Sequence, residues 1–577
     1  MSTDPRYRDA LGFLLEGGAR LAGAAPRLAP QLSERSKDPD VERILEGVAY
    51  IVSQLERMID ARTDLLHQLA FDLIAPGYLS PIPALSTVEL HSPVACTIPA
   101  GTELVSDQVE GTVCRFRTVY DVEASPLTIH DVRLKALRGH AELTIHFRQA
   151  AFPAVHPDRL RLLVTGELGV AATLHSWLSS CFAGAEWLDA RGASRGPAPE
   201  IQSSHVGLSA DDAMWASQTR GHRLELLKEY FGYPQKFLYL DLHGVVSAAR
   251  RLGIDDGRFG LRIKLAVEGA RELPVNADSL RLGATPIANV FPHSADPTRR
   301  EGIGAEILVR PSGPLGHYDV HQVLAVRSIG PAGVRPIPLV HELDVDGATE
   351  IDAIAQLYRK RGPLGVSTWL HIEEREAPPP EDVIAIDLLA TNGRLPRALR
   401  PGDLSGNLRG FEGVRVEHRF AVSASHPPPS GEDVRRALVQ HMTLGFRTLA
   451  SREALSDAFG LYHFGALSGG VLARELELLQ GTILDLNARP KVFSLEGDSV
   501  RGVETEILID ETAFSSEGEA WLFGSVLDEL LAVDSGLNVV SSVAIRSKGS
   551  GRRWVWPRRV GHRVLPGPRR AGRPEAR

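Results

Sequence analysis

A few sets of residues in this 577-residue chain have the types and spacing to do chemistry. His317 and His321, in "HYDVHQ", are four positions apart. On a helix that spacing places two imidazoles on one face, the beginning of a metal site; on a strand it separates them by about 13 Å. Their neighbours read as strand, so surface or packing histidines are expected. Gly524-Ser525 would suit a nucleophile elbow between a strand and a helix, but it lies within a helical pattern. Glu373, Glu374, Glu376, Glu381 and Asp382 flank a proline run. Two rigidly held carboxylates can cleave a glycosidic bond; beside prolines these five read as solvated loop charges.

The standard cofactor signatures are missing from the sequence. There is no GxxxxGK[ST], no HExxH, and the "GIG" at 302–304 lacks the third glycine of a dinucleotide turn. Cys96, Cys114 and Cys181 have no CxxC spacing, which argues against a disulfide scaffold or zinc ribbon and fits a reducing compartment. No segment has the roughly 18 uninterrupted apolar residues of a membrane span, and the N-terminus lacks a signal-peptide pattern, so a soluble cytoplasmic chain is expected. The net charge of -8 makes no general case for nucleic acid. The C-terminal residues 546–577 are the exception: eleven Lys/Arg and one acid, net +10, against about -18 for the rest. Such a tail can meet an acidic protein face, nucleic acid or an anionic membrane. Only Trp554 and Trp556 interleave it with aromatics.

The elements that would position these residues begin with helices. Residues 7–25 carry Leu11, Leu14, Leu15, Leu21 and Ala22 at helical spacing, weakened by Gly12, Gly17 and Gly18. A stronger helix follows in "DPDVERILEGVAYIVSQLERMIDARTDLLHQLAFDLIAPGYLSPIP" (38–83). Asp38 is placed as N-cap, Pro39 as first helical residue, and Asp40 and Glu42 suit the positive end of the helix dipole. Its apolar residues repeat in sevens: Val41, Val48, Leu55 and Leu69; Ile44, Ile51, Met58 and Leu65; Leu45, Val52, Ile59 and Leu66. Only Arg62 interrupts the first row. Three apolar positions in seven make a stripe wide enough for more than one neighbouring helix. From Pro39 to Ile74 the helix would run roughly 54 Å, and both intramolecular burial and bundling between chains would satisfy it. Pro76, Pro81 and Pro83 then force extended chain.

From about residue 85 the period changes to two. "HAELTIHFRQ" alternates Leu143, Ile145 and Phe147 with polar residues; "KFLYLDLHG" places Leu238, Leu240 and Leu242 on one face; "LRIKLAV" does so with Leu261, Ile263, Leu265 and Val267. "LGVAATLHSWLSSCF" reads as a helix. After the proline runs at 375–383 and 424–433, residues 434–478 return to helical pattern. "TEILIDE" is a strand, followed by an amphipathic helix with Trp521, Leu522, Val526, Leu527, Leu530 and Leu531. The expected fold is an elongated multidomain α+β chain in four parts: a helical region at 1–80, β-rich domains at 81–345, a β-containing segment at 346–430, and a mixed region at 431–577.

Taken together these blocks resemble the TssF family, also called VasA or ImpG, of type VI secretion baseplate subunits. The resemblance runs from about residue 7 to 563. It includes the long helix with its "PGYLSPIPA" exit, "CRFRTVYDVEASPLTI", "LRLGATPIANVFPHSADP", "IDLLATNGRLP", "ETEILIDETAF" and "WVWPRRVG". The most diagnostic block is "LLKEYFGYPQKFLYLDLHG" (226–244), with Tyr230, Phe231, Pro234, Lys236, Phe237 and Asp241 at the motif positions. Ala284, where the family has cysteine, Gly393, where it has a basic residue, and the sequence at 534–538 depart from the pattern.

The resemblance implies a scaffold without cofactor, metal or catalytic residue. A second TssF copy and one TssG would complete a wedge that carries TssK and TssE and surrounds a VgrG hub beneath tube and sheath. The front helix would then supply the partner interface. Burying about a dozen aliphatic side chains gives a gross term on the order of 20–30 kcal/mol, much of it cancelled by association costs. The β-rich middle would link neighbouring wedges. The alternatives are a carbohydrate-active hydrolase with a helical oligomerisation segment and a nucleic-acid binder acting through the basic tail.

Overall fold

The computed structural model describes residues 4–25, 27, 39–149, 159–215, 224–245, 251, 257–299, 306–331, 333–340, 352–362, 365–375, 382–446, 449–495, 498–534 and 539–560. The chain divides into two compact units, residues 1–70 and 71–577.

The first unit is helical. Helix α1 spans Pro5–Ala24, with Asp4 as N-cap accepting from the Arg6 backbone N–H at 3.2 Å. Helix α2 spans Pro39–Ile74, the bounds its prolines and apolar repeat predict, with Asp40 and Glu42 in the first turn. The cap expected at Asp38 lies outside the described residues. Arg6 pairs with Asp60 at 2.6 Å and Arg57 with Asp4 at 2.5 Å, which pins the start of α1 beside the middle of α2. The described buried positions are Ala10, Ala22, Ala49, Ser53 and Gln68, all but the last of them small.

The second unit, which takes in the last turn of α2 from Phe71, is rich in antiparallel strands. In its six-stranded sheet, Leu85–His91 pairs with Ala284–Ala288 on one side and with Arg415–Glu417 on the other. Strands from residues 81–345 and 346–430 therefore share one sheet, over a core that includes Val88, Phe116, Ile287 and Val416. A second core, with Phe291, Val323, Leu370, Ile386 and Leu388, lies among the strands Asp319–Gly330, Val383–Thr391 and the hairpin Ala353–Gly362/Gly365–Glu374. The alternating segments behave as their pattern requires. His140–Gln149 pairs with Arg258–Leu265, and Leu143, Ile145, Leu261, Ile263 and Leu265 are fully buried.

Further helices among the described residues are α3 (Leu168–Ser180), α4 (Glu225–Gly232), α5 (Glu432–Phe446), α6 (Arg452–Tyr462), α7 (Val471–Thr482) and α8 (Glu517–Asp534). Helices α3 and α8 pack together. Helix α8 connects the strand Asp498–Ile509 to its parallel neighbour Val540–Ser547, as parallel pairing requires of a crossover.

Two expectations change. The strand expected across "KFLYLDLHG" begins only at Tyr239, because Pro234 starts a 3₁₀ turn through Leu238. Helix α8 is not amphipathic in place: residues 520–532 are buried on every side. Its polar residues find partners inside the chain: Asp528, through Oδ2, and Glu529 pair with Arg559, and Ser525 accepts from Trp556. Arg559 belongs to the basic segment, and Arg552 and Arg553 likewise pair with Glu517 and Glu506. The front of that segment thus neutralises the chain's own acids; residues 561–577 lie outside the described residues.

Candidate docking surface on the N-terminal helix

At about 100° per residue, the apolar rows of α2 wrap less than half its circumference. Ile44, Val48, Ile51, Leu55, Met58, Ile59 and Leu66 are exposed, Ile44, Ile59 and Leu66 by more than 60%. With the exposed Arg62 they fall within an arc of about 100°. Val41, Leu45, Val52, Leu65 and Leu69 are half-buried. Ala49 and Ser53 point to the opposite side, where they are fully buried. The same unit exposes Phe13, Leu15 and Leu21 on α1. Soluble monomers rarely leave so long a continuous apolar strip in water. Arg62 pairs with no described residue and stands as the one charge within it.

The diagnostic block at 226–244 serves a different end. Tyr230 is buried among Phe231, Phe237 and Phe523, and Phe231, half-buried, stacks on His463 at 4.5 Å. Pro234 sets the 3₁₀ turn. Lys236, with no exposed surface, is bonded to the Glu229 carboxylate, whose other oxygen accepts from the Met214 backbone N–H at 2.7 Å. Asp241 receives both the Nε and an Nη of Arg161 at 2.8 Å, the guanidinium lying 4.9 Å from the Tyr120 ring centre. These six residues build the interior of the second unit and are not brought to a common surface.

The residue the motif reading missed is Lys228. It is 1% exposed, donates to the carbonyls of Gly77 and Tyr78 at 3.1 and 2.9 Å, and sits over the Tyr78 and Phe464 rings. Burial pulls its ammonium down to a pKa of about 8, with Glu225 opposing. Phe71 stacks on Tyr78 at 4.9 Å, His441 and Tyr462 meet the Tyr78 ring edge-on, and the Tyr78 hydroxyl donates to the Leu461 carbonyl at 2.8 Å. Lys228 and this aromatic cluster fasten the last turn of α2 and its proline exit into the second unit. A lysine two residues before the Tyr-Phe pair was the available signal.

The sets that could do chemistry are occupied elsewhere. Ser525 is buried, donates to the Trp521 carbonyl and accepts from Trp556 Nε1, both at 3.0 Å. Gly524 is required because a Cβ there would come within 2.4 Å of the Trp556 ring. His317 lies before the strand that holds His321; its Nδ1 is 2.7 Å from Thr112 Oγ1, while His321 is buried with its pKa lowered to about 3, chiefly by burial. The acidic cluster corrects the solvated reading in part. The Glu374 side chain is buried against Arg335 at 3.1 Å, and Asp382 is buried and accepts from Ser328 at 2.8 Å. Glu373, adjacent on the strand, is exposed on the other face; Glu376 and Glu381 lie outside the described residues. Neighbours on one strand face opposite ways, so Glu373 and Glu374 cannot converge on a sugar.

Comparison with known proteins gives concordant matches. The family model described as "Type VI secretion system, TssF" matches residues 2–563. The type VI secretion system component TssF1 of Pseudomonas aeruginosa is 25% identical, over 96% of this chain and 98% of that protein. Among solved structures, a chain of a type VI TssK-TssF-TssG baseplate subcomplex, determined by cryo-electron microscopy, superimposes with a TM-score of 0.78 at 26% identity, covering 91% of this chain and all of the other. A chain of a type VI baseplate complex shares the fold, with a TM-score of 0.59 at 22% identity over 97% of this chain and all of the other.

Proposed function

The chain belongs to the TssF family of the type VI secretion system, and on that premise we propose that it is a non-enzymatic wedge scaffold of a baseplate. In this reading the exposed stripe of α2 is buried against helices of a second copy of the chain and of a TssG-like subunit. The observation that carries it is the arc of exposed aliphatic residues from Ile44 to Leu66. The cryo-electron microscopy relative is held with TssK and TssG, which supports those two as partners; TssE, a VgrG hub and the base of tube and sheath complete the assembly proposed.

Rearrangement of contacts made by the β-rich second unit would couple the baseplate to sheath contraction, since a packed interface with two arrangements can pass a signal without chemistry. The proposed location is cytoplasmic, docked at an inner-membrane complex; among the described residues no helix is long and apolar enough to cross a membrane. The test is co-expression with the TssG-like subunit from the same source and mass measurement of the purified species. A complex with two copies of this chain to one TssG is expected. Failure to form it, or a complex indifferent to Leu55→Asp, overturns the proposal.

A further inference from the structure

Outside the docking surface, one side-chain cluster among the described residues has the form of a metal site. Glu89 and Glu417 are directly opposed on neighbouring antiparallel strands, and His91, two residues beyond Glu89, stands on the same face. The three present ligand atoms that all lie within 4.8 Å of one another. His91 Nε2 is 3.5 Å from Glu89 Oε2 and 3.4 Å from Glu417 Oε2.

Those separations are long for charge-assisted hydrogen bonds, which run about 2.7–2.9 Å. They match the edge of a tetrahedron with bonds of about 2.1 Å, which is about 3.4 Å. The other oxygens of the two carboxylates are held away from the centre. Arg281 Nε lies 3.5 Å from Glu89 Oε1, and an Nη of Arg419 lies 2.6 Å from Glu417 Oε1. This leaves each Oε2 turned toward His91. Glu89 has a side chain only 3% exposed; its Oε1 makes no hydrogen bond among the described residues and faces Arg281 and, at 3.8 Å, Arg419 Nε, while its Oε2 faces His91.

We propose that Glu89, His91 and Glu417 bind one zinc-class divalent cation that clips the strand Arg415–Glu417 to the strand Leu85–His91. The two guanidiniums weaken the field that would hold a hard ion, and an imidazole ligand selects a borderline transition metal over magnesium or calcium. The role is structural: the ion joins the strand Arg415–Glu417 to its direct neighbour, the first strand of the second unit, within the six-stranded sheet.

The experiment titrates zinc into the chelator-stripped full-length chain in competition with a chromophoric chelator, for wild type, His91→Ala and Glu417→Gln. One equivalent is expected in wild type, with each variant weakened by about tenfold or more. Zinc should raise the melting temperature of wild type alone. His91 is partly exposed, so His91→Ala should melt, without metal, like metal-free wild type. Absence of a zinc equivalent in wild type overturns the site, as does binding that both variants retain undiminished.

Discussion

The two units treat polarity in opposite ways. The first turns its large aliphatic residues outward, Ile44, Ile51, Leu55 and Ile59 among them, and buries small ones such as Ala49 and Ser53. The second closes its apolar cores and also buries charge: Lys228, Lys236, Asp241, Asp528 and Glu529 all have matched partners inside it. A unit that pairs its buried charges with one another in this way can stand as a folded body. A helix that leaves half its apolar circumference in water is complete only in company. Damage to the first should therefore appear in assembly, and damage to the second in stability.

The largest separation of the two is expected from Ile59→Asp. If the stripe is an interface, the variant loses the burial of one isoleucine and must desolvate a carboxylate. Together these cost on the order of 5 kcal/mol, more than a thousandfold in affinity. Co-purification with a TssG-like partner should be lost while tryptophan fluorescence and denaturant unfolding of the second unit stay as in wild type. Loss of both together would mean that the helix is core and that the two units are not distinct in kind.

The converse is Arg559→Ala. Arg559 is bonded to both Asp528, fully buried, and Glu529 on α8. Burial already raises the Asp528 carboxyl to a pKa of about 6, against the pull of Arg559. Removing the cation strands two buried carboxylates and should cost about 3–5 kcal/mol, read as a lower denaturation midpoint. Assembly through α2 should survive under conditions where the variant remains folded.

The second unit should also carry a signature in pH. Burial is the main cause lowering His175 and His463 to about 4 and His321 to about 3, from an ordinary 6.5. The unfolded chain therefore takes up protons first as pH falls, and the stability these residues hold above pH 6.5 is lost progressively toward pH 4. Each should contribute a loss of about 2 kcal/mol between pH 6.5 and 5. Asp72, raised to about 7, and Asp528 act in the opposite sense, because the folded state binds their protons more tightly as pH falls. His321→Phe should flatten the acid limb of a stability–pH curve by about 2 kcal/mol over that interval. An unchanged slope would show that His321 is not held neutral.

What was legible in the chain follows the same division. The bounds of α2 could be read because prolines stop it and its apolar repeat belongs to one continuous segment. The strands around Leu143 and Leu261 could be read because alternation is local. Burial of α8 could not, since its polar residues are neutralised by Arg559 and Trp556 from a later segment, and periodicity is blind to such partners. The role of Lys228 was hidden for the same reason: its acceptors are backbone carbonyls at 77 and 78. Nor does any spacing rule join Glu89 and His91 to Glu417, which only sheet pairing brings together.

The smallest expected effect tests how little holds the first unit together. Two of its cross-helix ion pairs among the described residues, Arg6–Asp60 and Arg57–Asp4, involve partly to largely exposed side chains. Exposed pairs contribute about 0–1 kcal/mol, and salt weakens them. Arg6→Ala should therefore shift stability by less than about 1 kcal/mol, with the difference shrinking at high salt. Its effect should be visible only in the chain without partners, as faster amide exchange along α1, and should vanish in the complex, where buried apolar surface outweighs a surface ion pair. Were Arg6→Ala to unfold α1 within the assembled complex, the helices would depend on their charges and the contrast between the units would have to be drawn elsewhere.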